Sequence, residues 1–242
     1  MFERRVLVRP ACALLFAVCA LPAAAQKESV KPGINKSFEN PNVEDFIGRF
    51  EREGRDAFDH RNEILEACQV TPGMAVADVG AGTGLFTRMF AEAVGPEGRV
   101  YAVDISEEFL DHIHEMAKRD DLENVTTVLC DPVSSELPEN SVDLVYICDT
   151  YHHFEYPQRT MASIHRALKP DGVLVLVDYH RIPGKTSGWL MEHIRAPQEV
   201  FVQEITDAGF EQIDEKPDML GESYFVRFKK AKPVGKGPAT GQ

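Results

Sequence analysis

The chain has 242 residues, 43% of them hydrophobic and 27% charged, a composition that suits one α/β domain with a full core and excludes a disordered chain. With 26 Lys and Arg against 39 Asp and Glu, the formal charge is -13. Such an excess of acid works against phosphate backbones and anionic lipid, so nucleic acid is not an expected partner.

Residues 1–25 read as an export leader. Arg4, Arg5 and Arg9 precede the apolar run 11–25, which closes on an A-x-A pattern before Gln26. That run is shorter than the roughly 20 residues of a spanning helix, so cleavage after Ala25 is expected rather than a stable membrane span. The location that follows is the periplasm or cell envelope, or a cytoplasm-facing domain if the leader is not used. Beyond the leader remain Cys68, Cys130 and Cys148, which form neither a disulfide framework nor C-x-x-C zinc pairs.

Residues 26–42 are polar, with Pro32, Gly33 and Pro41, and read as a linker. Residues 43–69 have helical spacing, with Phe46, Ile47 and Phe50 followed by Ile64, Leu65 and Cys68. The charged stretch RFEREGRDAFDHR inside this region has two open readings, a lid over a ligand or a solvated helix face. Apolar and amphipathic segments then alternate: strand 75–79, helix 84–94, strand 99–103, helix 107–118, strands 125–129 and 142–148, helix 157–168 and strand 172–178, with LKPDG at 168–172 as a turn. This alternation predicts a parallel sheet covered by helices. Helices near 188–208 follow, then a half-buried, antiparallel strand in ESYFVRFKK. The domain is thus expected over 43–229, with a disordered tail at 230–242.

The chemistry concentrates in VADVGAGTGLF at 76–86. Gly80, Gly82 and Gly84 follow a strand and open a helix, but Leu85 stands where a dinucleotide fingerprint needs its third glycine. A tight strand-to-helix connection is the bland alternative. Three carboxylates sharpen the reading, because Asp78, Asp104 and Asp131 each sit at the carboxyl end of a parallel strand, where ligands bind. An acidic crevice repels a pyrophosphate and attracts a cationic ligand, at roughly 4 kcal/mol per opposite charge 4 Å away for an effective dielectric near 20.

With VADVGAGTG, VYAVDIS, LCDP, VDLVYICD and LKPDGVLVLVD in this order from about Pro72 to Asp178, the chain resembles the class I S-adenosylmethionine-dependent methyltransferases, of the small-molecule type. The resemblance implies a Rossmann-like methyltransferase fold, a seven-stranded mostly parallel sheet with the last strand antiparallel and helices on both faces. It implies S-adenosyl-L-methionine as cofactor and a small-molecule acceptor. Asp78, Gly80, Gly82 and Gly84 would surround the methionine part, Asp104 with Ile105 beside it would take the ribose hydroxyls, and Asp131 with Pro132 would face the adenine. Asp131 also fits a solvated turn acid.

Acceptor residues are expected after the fourth and fifth strands. Asp149 and His152 are the candidate catalytic groups, His152 as a base. Adjacent histidines point apart, so one of His152 and His153 is expected in the pocket, the alternative being one at a turn and one beneath the cofactor. Tyr151, His153, His180, Arg181 and Arg195 are candidate acceptor-binding residues, the last three sharing the reading of a solvated loop and helix face. His112 and His114 are two apart and no H-x-x-x-H occurs, so no metal is expected. Two other classes compete: a catalytically inactive sensor or partner protein that binds S-adenosylmethionine, and a nicotinamide-dependent oxidoreductase, which Leu85 and Asp78 disfavour.

Overall fold

The computed structural model describes residues 26–232, so the leader at 1–25 and residues 233–242 lie outside the described part. Seven strands form one sheet: β1 (Ala75–Val79), β2 (Arg99–Asp104), β3 (Val125–Leu129), β4 (Val142–Cys148), β5 (Leu168–Tyr179), β6 (Phe210–Glu215) and β7 (Ser223–Lys230). Their order across the sheet is β3-β2-β1-β4-β5-β7-β6. The pairs from β3 to β5 are parallel, and β7 runs antiparallel to both β5 and β6. The expected mostly parallel sheet with an antiparallel last strand is present. The order in which strands are added reverses between the parallel neighbours β1 and β4, and the carboxyl ends of the strands on either side open into the crevice where α/β sheets bind ligands.

Alternate residues of the central strands feed two cores. Ala77, Val79, Val145 and Ile147 join Met161, Ile164, Phe201 and Ile205, from α6 (Pro157–Ala167) and α8 (Gln198–Asp207), on one face. Val76, Leu144 and Tyr146 join Ile64, Phe86 and Phe90, from α3 (Arg61–Cys68) and α4 (Leu85–Val94), on the other. Ile113 and Met116 of α5 (Glu107–Arg119) extend that second face over Ala102. Strands β4 and β5 are buried on both sides, which is why they read as continuous apolar runs.

The helices expected over 43–69 are three short ones, α1 (Val43–Phe50), α2 (Asp56–Asp59) and α3, separated after α1 where Gly54 takes φ +86°. Two elements differ from the sequence expectation. LKPDG is not a turn: the strand begins at Leu168, directly after α6, because Pro170 holds its predecessor extended, and a register shift absorbs the extra residues against β4. Strand β6 escapes the pattern because Glu211, Gln212 and Ile213 are exposed on the sheet's edge.

Residues 26–42 are not a free linker. Val30 N–H donates to the Glu155 carbonyl, Ser29 Oγ to Glu155 Oε2 and Asn35 Nδ2 to the His153 carbonyl. A short 3-10 turn at Lys36–Phe38 presses Phe38 on Phe46 and Phe109. Composition alone hides such an arm, since its bonds go to the rim of the fold rather than to its own backbone. Among the described residues no helix is long and apolar enough to cross a membrane.

Candidate functional site

Strand β1 ends at Val79 and the chain turns through Gly80, Gly82 and Gly84, with φ of +77°, +53° and +83°. Gly80 N–H and Ala81 N–H donate to the Val103 carbonyl, and Gly82 N–H donates to Asp104 Oδ2 at 2.9 Å. The second strand's terminal acid therefore clamps the first strand's loop. A side chain at Gly80 would collide with Thr150, and one at Gly84 would meet Ile113 Cγ1 at 2.9 Å. Gly80 and Gly82 line the cavity; Gly84 does not, and serves the packing of α4 on α5 instead.

The cavity is lined by Asp78, Gly80, Gly82, Asp104, Ile105, Asp131 and Pro132, so the three strand-end carboxylates do share one crevice. Its empty space is about 1050 Å³ with the open mouth included, which suits a nucleoside-sized ligand together with a small second molecule. Asp78 is 3% exposed and accepts a 2.7 Å hydrogen bond from Thr87 Oγ1 on α4. Burial, with Asp104 adding like charge and Thr87 opposing, pushes the Asp78 carboxyl up to about 7. Asp104 is also shifted upward by burial, against the backbone donors of Gly82 and Ser106. Its Oδ1 accepts from Ser106 N–H at 3.0 Å, and a carboxylate retains lone pairs for further donors.

The far wall comes from the charged stretch and from the arm at 26–42, which reads as a linker in sequence. Phe38, Phe50, Asn35 and Arg55 bring the arm and first helices over the cavity, and Thr150, Phe154 and Thr160 close it from the β4 side. Of the two readings for the charged stretch, the lid fits: Arg55 Nη2 meets Asp149 Oδ2 at 2.7 Å, with side chains 13% and 9% exposed. Burial opposes the Arg55 charge, but the Asp149 carboxylate overrides it and the net shift is upward. Burial likewise raises Asp149, against Arg55. Asp149 Oδ1 is buried without a hydrogen-bond partner, and the residue adopts φ +48°. Tyr179 flanks this pair, its phenol raised by burial and by Asp149.

Several expected acceptor contacts do not reach the cavity. His152 is 1% exposed and lies behind it; its backbone N–H and Nδ1 are both tied to Asp178, Nδ1 at 2.7 Å from Oδ1. Tyr151 is fully buried in the core, its ring tilted against those of Phe154 and Phe201. His180 packs on Tyr224, and Arg181 Nε donates to the carbonyls of Met191 and Ile194. Arg195 forms a bidentate pair with Glu204, at 2.8 and 2.6 Å, over the rings of Tyr151 and Phe201. These polar groups turn inward to hold the segment after β5, and so are not solvated loop residues either. Of the expected acceptor residues, His153 lines the cavity, with Asp149 beside it. Burial, then its histidine neighbours, lowers the His153 ring to about 2, and the same causes lower His193 to about 4.

Sheet order, the glycine turn and the common acidic crevice define the class I methyltransferase architecture. A solved S-adenosylmethionine-dependent methyltransferase from Aquifex aeolicus superposes with a TM-score of 0.67 at 23% identity, over 78% of this chain and 98% of that one. The [4+2]-cyclase SpnF superposes with a TM-score of 0.61 at 18% identity, over 75% of this chain and 85% of that one, so the fold by itself does not fix the reaction.

Residues 77–176 match the family model described as a methyltransferase domain. The demethylmenaquinone methyltransferase of Listeria welshimeri is 34% identical over 126 residues, 51% of this chain and 53% of that protein. The ubiquinone/menaquinone biosynthesis C-methyltransferase UbiE of Bordetella parapertussis is 33% identical over 117 residues, 47% and 43% of the two chains. The chain thus spans about half the length of the curated relatives it matches. Residues 77–176 thus match a methyltransferase domain, and the fold is that of the solved S-adenosylmethionine-dependent methyltransferase.

Proposed function

We propose that the protein transfers a methyl group from S-adenosylmethionine to a small aromatic acceptor, by in-line displacement. The observation that carries this reading is the convergence of Asp78, Asp104 and Asp131 with the glycine turn in one crevice roofed by aromatic side chains. The residues fit the cofactor: Gly80 leaves a cradle that a Cβ would fill, Asp104 offers a fixed carboxylate for ribose hydroxyls, and Asp78 offers negative charge for an ammonium. When bound, the cofactor supplies an activated methyl on a sulfonium. The protein's part is alignment, exclusion of water and proton removal.

Asp149 is the proton acceptor in this reading. Its Oδ2 is held by Arg55 while Oδ1 lies buried and unpartnered at the cavity wall, so a hydroxyl donor on the acceptor would satisfy it. Phe38, Phe50 and Phe154 give an apolar, flat-walled space suited to a ring, and the matched relatives named for menaquinone and ubiquinone methylation support a hydroquinone-like acceptor. The leader pattern at 1–25 supports export of the domain, which N-terminal sequencing of the protein from a cell-envelope fraction tests: a chain starting at Met1 in the cytoplasm overturns it.

Calorimetric titration with S-adenosylmethionine, S-adenosylhomocysteine and NAD tests the donor, and transfer of labelled methyl to a panel of hydroquinones and phenols tests the reaction. Donor binding with no label transferred across the panel would favour the inactive sensor. Tighter binding of NAD would overturn the donor assignment.

A further inference from the structure

A cluster that the proposed methyl transfer does not use runs from the cavity wall, at His153, to the buried His152 and to His193. His152 and His153 leave the end of β4 in a 3-10 turn, and His193 arrives from the last residue of α7 (Gly188–His193). One nitrogen from each ring lies within 4.8 Å of the other two, and the ring centroids are 4.4 to 5.0 Å apart. Local spacing cannot reveal this trio, because its third member belongs to a helix far along the chain. We propose that His152, His153 and His193 bind a divalent first-row transition ion, with Zn²⁺ as the fitting case.

Three features favour an ion over a packing contact. His152 Nδ1 is engaged by Asp178 at 2.7 Å, which fixes the ring and leaves Nε2 as the free lone pair. A carboxylate behind a ligating imidazole is the usual way such a ring is oriented and made more basic. His153 has a buried Nδ1 with no hydrogen-bond partner among the described residues, an arrangement that is unfavourable unless something satisfies it. The gap is also short. Zinc holds imidazole nitrogens at about 2.0–2.1 Å, which for a tetrahedron sets ligand separations of roughly 3.3 Å, so the rings need to close by about 1.5 Å at most.

Three imidazoles and no fourth protein ligand in the group leave a coordination position for water or an oxygen donor. Imidazole nitrogens suit zinc, copper, nickel or iron and do not suit magnesium or calcium. One group opposes the ion: Lys31 Nζ sits on the carbonyls of Glu192 and His193, at 3.0 and 2.6 Å. Arg181 and Arg195 add positive charge on the same side, with Arg195 neutralised by Glu204. Asp178 offsets part of this from behind His152.

The fold supplies its own probe. Trp189 is the chain's single tryptophan and stacks on His193, with centroids 4.7 Å apart and planes at 12°. The tag-free full chain, stripped with chelator, is titrated with Co²⁺ while tryptophan emission is followed, and uptake is counted by equilibrium dialysis. The expected result is saturable quenching at one ion per chain, reversed by Zn²⁺. His193→Ala weakens uptake at least tenfold, Asp178→Asn weakens it about tenfold, and Lys31→Gln tightens it. Because Asp178 is buried and that variant can fail to fold, the half-buried His193 carries the decision. Uptake that does not saturate, or that His193→Ala leaves unchanged, overturns the proposal. Binding of S-adenosylmethionine by the same His193→Ala chain, measured alongside, keeps failure here separate from failure of the methyl-transfer reading.

Discussion

Arg55 and Asp149 form a 2.7 Å ion pair that fastens the segment between α1 and α2 to the end of β4, across the mouth of the cavity. The guanidinium also lies 5.0 Å from the centre of the Phe50 ring, so charge and aromatic roof are held by one side chain.

Removing one partner strands the other in a buried position, which costs about 3–5 kcal/mol for a buried pair. Arg55→Met is therefore expected to lower unfolding free energy by about 3 kcal/mol in urea melts. The double change Arg55→Met with Asp149→Asn should cost clearly less than the sum of the single changes, since neither charge is then stranded. Additive losses would mean that the pair carries no coupling.

The Asp78 carboxyl, at about 7 in the folded chain against 3.8 for the free group, sets a pH dependence with a definite sign. Between these values the folded state holds a proton that the unfolded state has released, so this group's contribution to stability falls as pH rises and is fully lost above about 7. Cofactor affinity runs the other way. The ionised form attracts the ammonium, so S-adenosylmethionine should bind more weakly as pH drops below 7, by at most about tenfold per pH unit. Calorimetry from pH 5.5 to 8.5 on the parent and on Asp78→Asn checks this, with the slope near 7 absent from the variant.

Asp104→Ala removes the acceptor for Gly82 N–H and, in the proposed binding mode, for the ribose hydroxyls. Two charge-assisted hydrogen bonds at about 1.5 kcal/mol each predict S-adenosylmethionine binding weakened about 100-fold or more. Binding within tenfold of the parent would remove Asp104 from the ribose site.

The glycines of the turn are not equivalent. Gly80→Ala drives a Cβ into Thr150 while φ is +77°, whereas Gly82→Ala meets Phe50 only at 3.4 Å. A left-handed non-glycine residue costs roughly 1–2 kcal/mol. Gly82→Ala should pay little beyond that in thermal melts, and Gly80→Ala should lose more stability and most cofactor affinity.

The central strands and the three acids were legible because they follow local rules. Strands β4 and β5 are largely apolar runs closed by polar residues, and Asp78, Asp104 and Asp131 stand at or just past strand ends by their place in the chain. What tertiary docking decides was not. Nothing in the polar stretch around Asn35 marks it as cavity wall, and the charges flanking Arg55 fit a solvated helix equally well. His180, Arg181 and Arg195 look like a polar patch in sequence, yet Arg181 caps carbonyls and Arg195 meets Glu204 nine residues on, a pairing that only the fold of α7 and α8 creates. The separation of His193 from the His152–His153 pair hid the histidine cluster for the same reason.

The arm from Gln26 to Phe38 contributes rim as well as cover, through Asn35 and Phe38. The arm is pinned by Val30 and Ser29 to Glu155 as well as by Asn35 to His153, so the same bonds that seat it also fix this part of the cavity wall. The stretch from Gln26 to Phe38 is therefore part of the binding surface itself, and shortening it removes wall and anchor together.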